Sequence, residues 1–496
     1  MRSSGVLMHI TSLPGPFGIG TMGAQAYAFV DFLKEAGQSW WQILPLSPTG
    51  YGDSPYQSAS AFAGNPYLID LEQLEKDGLL QPEDYRSLQW NIREDQVDFG
   101  LIYQNRRIVL RKAYARFSGG EAFERFCWEN SNWLADYSLF MALKDHFQGA
   151  PWYQWEAPLK RRDSDAVWNA RQTLADEIRF YSFQQFLFFE QWQALKNYAR
   201  EKGVGIIGDV PIYVPLDSAD VWSSPEEFLL DEALQPTAVA GCPPDAFSED
   251  GQLWGNPLYN WKAMAADGYS WWLRRLAFAG KLYDVVRLDH FRAFEAYWSV
   301  PYGDVDARGG HWVKGPDMDF VRAVKEGLPG LSLIAEDLGF LTPEVLQLRN
   351  RSGFPGMKVL QFAFDSRENS QYLPHNYIAN TVCYTGTHDN MTTRQWLENL
   401  SPEARAYAVE YMNLAGETDV WGVIRTALSS VSDLCIVPIQ DYLELGGEAR
   451  MNFPGTTTGN WTWRVHDGFC TDVLARRIAG LTRLYYRENS NCGTAV

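Results

Sequence analysis

Val285-Val286-Arg287-Leu288-Asp289-His290 is the stretch on which the fold turns. It is short, apolar in its body and charged at its end. A period of two places Arg287 and Asp289 on one face and Leu288 on the other. Such a run reads as a strand of a parallel sheet, buried on both sides and carrying its chemistry at its C-terminal end. Seven other runs, working outward, have the same character. With residues 283–290 as the fourth, the set is 5–10, 40–46, 204–212, 283–290, 331–338, 357–364, 381–387 and 434–439. Amphipathic helical patterns such as 24–36 and 320–327 separate most of them. Strand and helix alternating in this way predict a parallel sheet, and eight units predict its closure into a barrel. The expected fold is α/β, a (β/α)8 TIM barrel forming one catalytic domain over residues 1–496.

Two connections are too long for simple crossovers. Between the second and third strands, residues 103–117, 133–147 and 173–200 have helical, aromatic patterns too apolar for a linker. They predict a mostly helical insertion over residues 66–200. Residues 214–282 form a second insertion, after the third strand. Its portion 242–261 is rich in Gly, Pro and aromatic residues, as expected of a functional substrate loop. After the eighth strand only a loop and a helix remain, which leaves no C-terminal β-sandwich. The tail after Asn489 is expected to fray.

The net charge of −18 argues against a nucleic-acid partner, which would need a basic stripe. The longest basic run is Lys160-Arg161-Arg162, read as a solvated surface. The cysteines Cys127, Cys242, Cys383, Cys435, Cys470 and Cys492 form no C-x-x-C pair, so zinc and redox sites lack support. Their scatter fits free thiols of a reducing compartment. No secretory leader pattern and no 18-residue apolar run is visible, so a soluble cytoplasmic protein without a membrane partner is expected. The 20 Trp include several in polar loops, such as Trp254 in Gly251-Gln252-Leu253-Trp254-Gly255-Asn256-Pro257. Rings there either stack on sugar faces or belong to a large core. Composition leaves both open.

Gly18-Ile19-Gly20-Thr21-Met22-Gly23 matches the dinucleotide fingerprint G-x-G-x-x-G between a strand and a helix. Pro14 and Pro16 loosen the turn. The second strand ends in Leu44-Pro45-Leu46-Ser47-Pro48, without an acid for a ribose hydroxyl. The glycines are better read as a close turn near the active face.

The carboxylates carry more information. Asp289 ends the fourth strand, Glu336 the fifth in Ile334-Ala335-Glu336-Asp337-Leu338, and Asp389 the seventh in Thr385-Gly386-Thr387-His388-Asp389-Asn390. One acid at a strand end is most simply a solvated or capping residue. Three, with Arg287 and His388 beside them, sit where barrel enzymes build their sites. Retaining glycoside cleavage needs an ionised nucleophile and a protonated acid. Arg287 would keep Asp289 charged, and an apolar strand among other acids would keep Glu336 protonated. Asp389 and His388 would then hold sugar hydroxyls. No G-x-S-x-G or H-E-x-x-H motif offers another chemistry, and no metal or cofactor is implied.

Longer segments carry a resemblance. They are Leu13-Pro14-Gly15-Pro16-Phe17-Gly18-Ile19-Gly20, Gly50-Tyr51-Gly52-Asp53-Ser54-Pro55-Tyr56, Gly64-Asn65-Pro66-Tyr67, Gly208-Asp209-Val210-Pro211-Ile212 and Trp254-Gly255-Asn256-Pro257-Leu258-Tyr259. With the three carboxylate strands, they resemble the amylomaltases and plant disproportionating enzymes of glycoside hydrolase family 77. The likeness runs from Ser12 to about the final helix. It implies a 4-α-glucanotransferase that passes α-1,4-glucan segments from donor glucans to glucose or maltooligosaccharide acceptors. It also implies Asp289 as nucleophile, Glu336 as acid/base and Asp389 as transition-state stabiliser. Arg287, His388, Asp209, Tyr56, Ser54, Trp254 and Asn460 would contact glucose units, the last through Gly459-Asn460-Trp461. The rival readings are a hydrolase using the same residues, a non-catalytic glucan-binding protein and a nicotinamide-dependent enzyme.

Overall fold

The computed structural model describes residues 2–244, 249–339, 341–364 and 370–488. Residues 245–248 of the expected substrate loop, Cys492 and the tail after Asn489 lie outside that set. Twelve strands occur among the described residues: β1 (Ser3–Leu7), β2 (Trp40–Gln42), β3 (Gly205–Val210), β4 (Ala238–Cys242), β5 (Gln252–Pro257), β6 (Val285–Leu288), β7 (Ala296–Pro301), β8 (His311–Lys314), β9 (Leu333–Ala335), β10 (Gly356–Val359), β11 (Thr381–Tyr384) and β12 (Leu434–Pro438). Eight of them close into a parallel barrel in the order β1-β12-β11-β10-β9-β6-β3-β2. These are the eight runs read from the sequence.

Close packing shows in the sequence of the barrel. Gly5, Trp40 and Gly205 lie in one row across β1, β2 and β3. A Cβ on Gly5 would fall 2.5 Å from the Trp40 carbonyl, and one on Gly205 would fall 2.5 Å from the indole ring. Only glycine leaves room for that ring. Gln42 and Tyr384 meet inside the barrel, where the tyrosine hydroxyl donates to the amide oxygen at 2.9 Å.

The observed strands end earlier than the apolar runs. Strand β6 stops at Leu288, β9 at Ala335 and β11 at Tyr384. The backbone ladder nevertheless continues past these ends. Asp289 N–H donates to Val210 O at 3.1 Å, Glu336 N–H to Leu288 O at 3.0 Å, and Phe291 N–H to Glu336 O at 2.9 Å. The chemical residues therefore sit on turns that the barrel still fixes.

Between β2 and β3 the chain forms helices that include Phe99–Arg116, Ser131–His146 and Ala175–Glu201. Gln185 on the last of these pairs with the Gly64 backbone in both directions, at 2.7 and 2.9 Å. Gln191 does the same with Asp70, at 2.7 and 3.2 Å. These glutamines act as a substitute sheet partner for the loop that leads away from Ser54 and Tyr56.

A second sheet, in the order β5-β4-β7-β8, is antiparallel. It draws two strands from the connection after β3 and two from the one after β6. After β12 come the helices Ile439–Tyr442 and Asp472–Leu484, joined largely by loop. At the N-terminal ends of the strands, Arg487 is fully buried and donates to the carbonyls of Ser3, Leu428, Ser430 and Ser432 at 2.7–3.0 Å. No helix among the described residues is long and apolar enough to cross a membrane.

The glycine-rich loop after β1 is packed tightly. A Cβ on Gly20 would lie 1.8 Å from Ile10 O, and one on Gly18, where φ is +74°, 2.1 Å from Trp90 O. Backbone carbonyls stand where a bound phosphate would need open space.

Candidate active site

A cleft of about 1290 Å³ opens over the C-terminal mouth of the barrel. Among the residues lining it are Ser54, Tyr56, Trp254, Arg287, Asp289, Glu336, His388, Asp389 and Asn460. Nine of the ten residues singled out in the sequence thus meet in one cleft. Asp209 does not line it. Its carboxylate is 1% exposed and lies beneath, bound to Arg287 Nη1 at 2.6 Å and to the Tyr56 hydroxyl at 2.6 Å. Asp209 thus reaches Arg287 and Tyr56 rather than the open cleft. It ends inside strand β3, where the barrel interior claims its side chain.

Arg287 bridges two acids. The same Nη1 reaches Asp289 Oδ1 at 3.1 Å. Arg287 itself is nearly buried, and its Nε points at the Met357 sulfur at 3.4 Å. Burial pushes the Asp289 carboxyl well above the ordinary range, Arg287 pulls it down, and Asp209, Glu336 and Asp389 push it up. Burial also raises Glu336, while Arg287 and backbone N–H donors at Leu338 and His290 oppose the rise. Two such acids side by side titrate as a pair and hold a proton at higher pH than a free carboxylate does.

Glu336 is held by backbone. Its Oε2 accepts from His290 N–H at 2.6 Å and its Oε1 from Leu338 N–H at 3.0 Å. The first donor belongs to the residue after Asp289. His290 adopts a left-handed conformation, φ 46° and ψ 50°. That conformation costs a non-glycine residue about 1–2 kcal/mol. It aims the His290 N–H at Glu336, and the His290 ring meets Trp254 edge-on at 4.8 Å. Burial takes the His290 ring down to about pKa 3, so it is neutral.

On the opposite wall, His388 stacks on Tyr56 at 5.3 Å, and both rings touch Trp461. The His388 Nε2 lies 2.9 Å from the Tyr56 hydroxyl and 3.4 Å from Asp389 Oδ2. Burial lowers the His388 pKa more than Asp389 restores it. Asp389 remains half-exposed. Asn452 donates to its Oδ1 at 2.7 Å, and Arg450 donates to its backbone carbonyl at 3.1 Å. Neither residue stood out in the sequence, because the loop after β12 has no periodicity to mark it.

Asn460 faces the cleft wall, yet its amide is already engaged. Its Nδ2 donates to Thr456, to the backbone carbonyl at 3.1 Å and to Oγ1 at 3.0 Å, and its Oδ1 accepts from Phe453 N–H at 2.9 Å. It shapes the loop 453–460. Ser54 Oγ accepts from Tyr56 N–H at 3.2 Å, which sets the tyrosine against His388. No group of three or more His, Cys, Asp and Glu suited to a metal ion occurs among the described residues.

Three carboxylates at the mouth of a closed (β/α)8 barrel, two of them on neighbouring strands, define a carbohydrate-active barrel enzyme of the two-carboxylate kind. The chain belongs to glycoside hydrolase family 77, the 4-alpha-glucanotransferases, whose sequence profile matches residues 8–471. It is 50% identical over 485 residues to the 4-alpha-glucanotransferase of Clostridium butyricum, covering 97% of this chain and 100% of that one. The Thermus thermophilus 4-alpha-glucanotransferase is 49% identical over 481 residues, 94% of this chain and 95% of that one. The solved amylomaltase of Streptococcus agalactiae, in complex with acarbose, superimposes with a TM-score of 0.96 at 43% identity. That match covers 98% of this chain and 100% of the other.

Proposed function

We propose that the protein transfers α-1,4-glucan segments from donor maltooligosaccharides, or glucans of the starch and glycogen type, to glucose or maltooligosaccharide acceptors, by a retaining double displacement. The observation that carries this reading is the register of β6 and β9. Leu288 pairs with Ala335, so Asp289 and Glu336 are the next residues on neighbouring parallel strands. Neighbouring strands run about 4.8 Å apart. Retaining enzymes hold their carboxyls about 5–5.5 Å apart, and inverting ones about 6.5–9.5 Å.

Asp289 attacks the anomeric carbon while Glu336 protonates the departing oxygen. An acceptor 4-hydroxyl then displaces Asp289 from the sugar, with Glu336 taking its proton. Asp389, oriented by Asn452, stabilises the oxocarbenium-like state by holding ring hydroxyls. Tyr56, His388, Arg287, Ser54 and Trp254 contact the sugars. Asn460, which lines the cleft, joins them, and Asp209 acts on the sugars through Arg287 and Tyr56. The reaction needs no cofactor, since two carboxyls and sugar hydroxyls suffice. A reducing cytoplasm suits the chain, whose cysteines are scattered and form no C-x-x-C pair.

Chromatography of maltotriose products tests the reading. A ladder of longer maltooligosaccharides with glucose, at a constant number of reducing ends, is expected. Glucose and maltose with rising reducing ends would make the protein a hydrolase. An unchanged substrate would make it a binding protein.

A further inference from the structure

The cleft does not end at Trp254. Its lining continues past Arg292 and along the second sheet through Leu253, Trp298 and Trp312. The strand register explains how. Leu253 on β5 pairs with Gly241 on β4, Gly241 with Trp298 on β7, and Trp298 with Trp312 on β8. Residues directly opposite one another share a face, so these four form one transverse row. The row spans three strand spacings, about 14 Å.

Each position in the row is fixed. Gly241 is buried, and a Cβ there would meet Gln252 O at 2.5 Å, so glycine lets β4 and β5 pack closely beneath the row. The Trp298 indole N–H donates to Ala307 O at 2.9 Å, and its ring meets Trp312 edge-on at 5.1 Å. The Arg292 guanidinium sits 3.8 Å over the Trp312 ring. Arg292 lies in the single turn Phe291–Phe294, three residues beyond Asp289, so the ring is tethered to the turn that carries the attacking carboxylate. Leu253 and Trp312, at the two ends of the row, are 37% and 38% exposed although large and apolar. The main core does not explain them. Trp298 packs on the satellite cluster Val239, Val300 and Ala307.

From this row we infer a distal glucan subsite. One α-1,4-glucan chain leaves the reacting centre past Trp254 and Leu253 and rests a remote sugar on Trp298 and Trp312, which continue the cleft lining. Indole faces match the C–H faces of a pyranose, and Arg292, buried against one side of the Trp312 ring, holds that ring in place. Continuity with the carboxylate cleft selects this occupant over a protein partner. The inference rests on the glucan-transfer reading above and adds to it a determinant of chain length.

The test compares maltotriose with maltoheptaose in wild type, Trp312→Ala, Trp312→Leu and Trp312→Phe. The ratio of kcat/KM for maltoheptaose to that for maltotriose should fall roughly tenfold in the Ala and Leu variants, the loss of about 1.4 kcal/mol of contact. Trp312→Phe, which keeps a ring, should recover most of it. An equal loss at both lengths would overturn the subsite and leave Trp312 a packing residue of the hairpin. If Trp312→Ala fails to fold, the Leu and Phe variants decide, since both fill the volume and only one offers a ring face. Maltoheptaose binding to Asp289→Asn, with and without Trp312→Leu, separates the two claims. Tight binding to Asp289→Asn that is lost with Trp312, when the unsubstituted protein shows no transferase activity, keeps the subsite and removes the activity. Full activity with length-independent binding does the reverse.

Discussion

Arg287 serves two acids at once, and that sharing sets the charge of the centre. With Asp209 and Asp289 both on its Nη1, one cation balances two carboxylates inside the barrel mouth. Asp289→Asn keeps shape and volume but replaces the carboxylate proposed as nucleophile. It should leave the unfolding transition unchanged and reduce transfer below detection in a maltotriose assay. Wild-type activity in that variant would reassign the nucleophile. Glu336 predicts a pH effect. Burial raises its pKa, so it holds the catalytic proton above the pH at which a free glutamate loses it. Asp289 and Glu336 titrate as a pair, so activity should fall on the acid side as the pair takes up its second proton and on the alkaline side as it loses its last. Both limbs should lie above the ordinary carboxylate range, because both groups are raised. Glu336→Gln should cut transfer from maltotriose by roughly 10²–10⁴-fold. It should spare the first step with an α-maltosyl fluoride, whose leaving group needs no proton. A loss of the same size with the fluoride would exclude Glu336 as the acid. The three acids were legible in the sequence because a charge at the end of an apolar run is rare and patterned. Asn452 was not, since it meets Asp389 across 63 residues of chain. Neither was the left-handed His290, because a histidine does not advertise positive φ as a glycine does.

Trp254 stands on the edge strand β5 and turns its ring to His290, so this element carries a test of transfer against hydrolysis. A ring beside the reacting centre excludes water while the glycosyl-enzyme lives. Trp254→Ala should lower transfer more than hydrolysis, read as the ratio of transfer products to new reducing ends at one maltotriose concentration. An unchanged ratio would confine Trp254 to packing the strand. Barrel strands were readable as elements because burial on both faces makes them apolar throughout. The second sheet was not. Its strand β8 is largely exposed, and β4 finds β7 only across the intervening barrel strand β6. Pairing of that kind leaves no local pattern.

At the scale of the molecule, Arg487 closes the seam between the first and last barrel strands. Its guanidinium bonds four carbonyls at the face opposite the cleft. Arg487→Leu would leave those carbonyls without a donor. It should lower unfolding stability by about 3 kcal/mol while the folded fraction keeps its kcat. Denaturant unfolding beside a titration of active sites measures both. A variant as stable as wild type would show that water replaces the guanidinium. The closed ring was foreseeable from the count of eight strands. Its fastening was not, because an arginine near the end of a polar helix reads as surface.

The pairing of β1 with β12 has a consequence in time. Ser3 finds its partner Leu434 only after more than four hundred further residues have been made. At about 5–20 residues per second, a nascent chain carries that unpaired edge for about 20–90 s. Throughout synthesis the growing sheet is an open curl with a sticky rim. The cell must shield that rim, or the first strand must stay unfolded, until the ribosome has delivered the last.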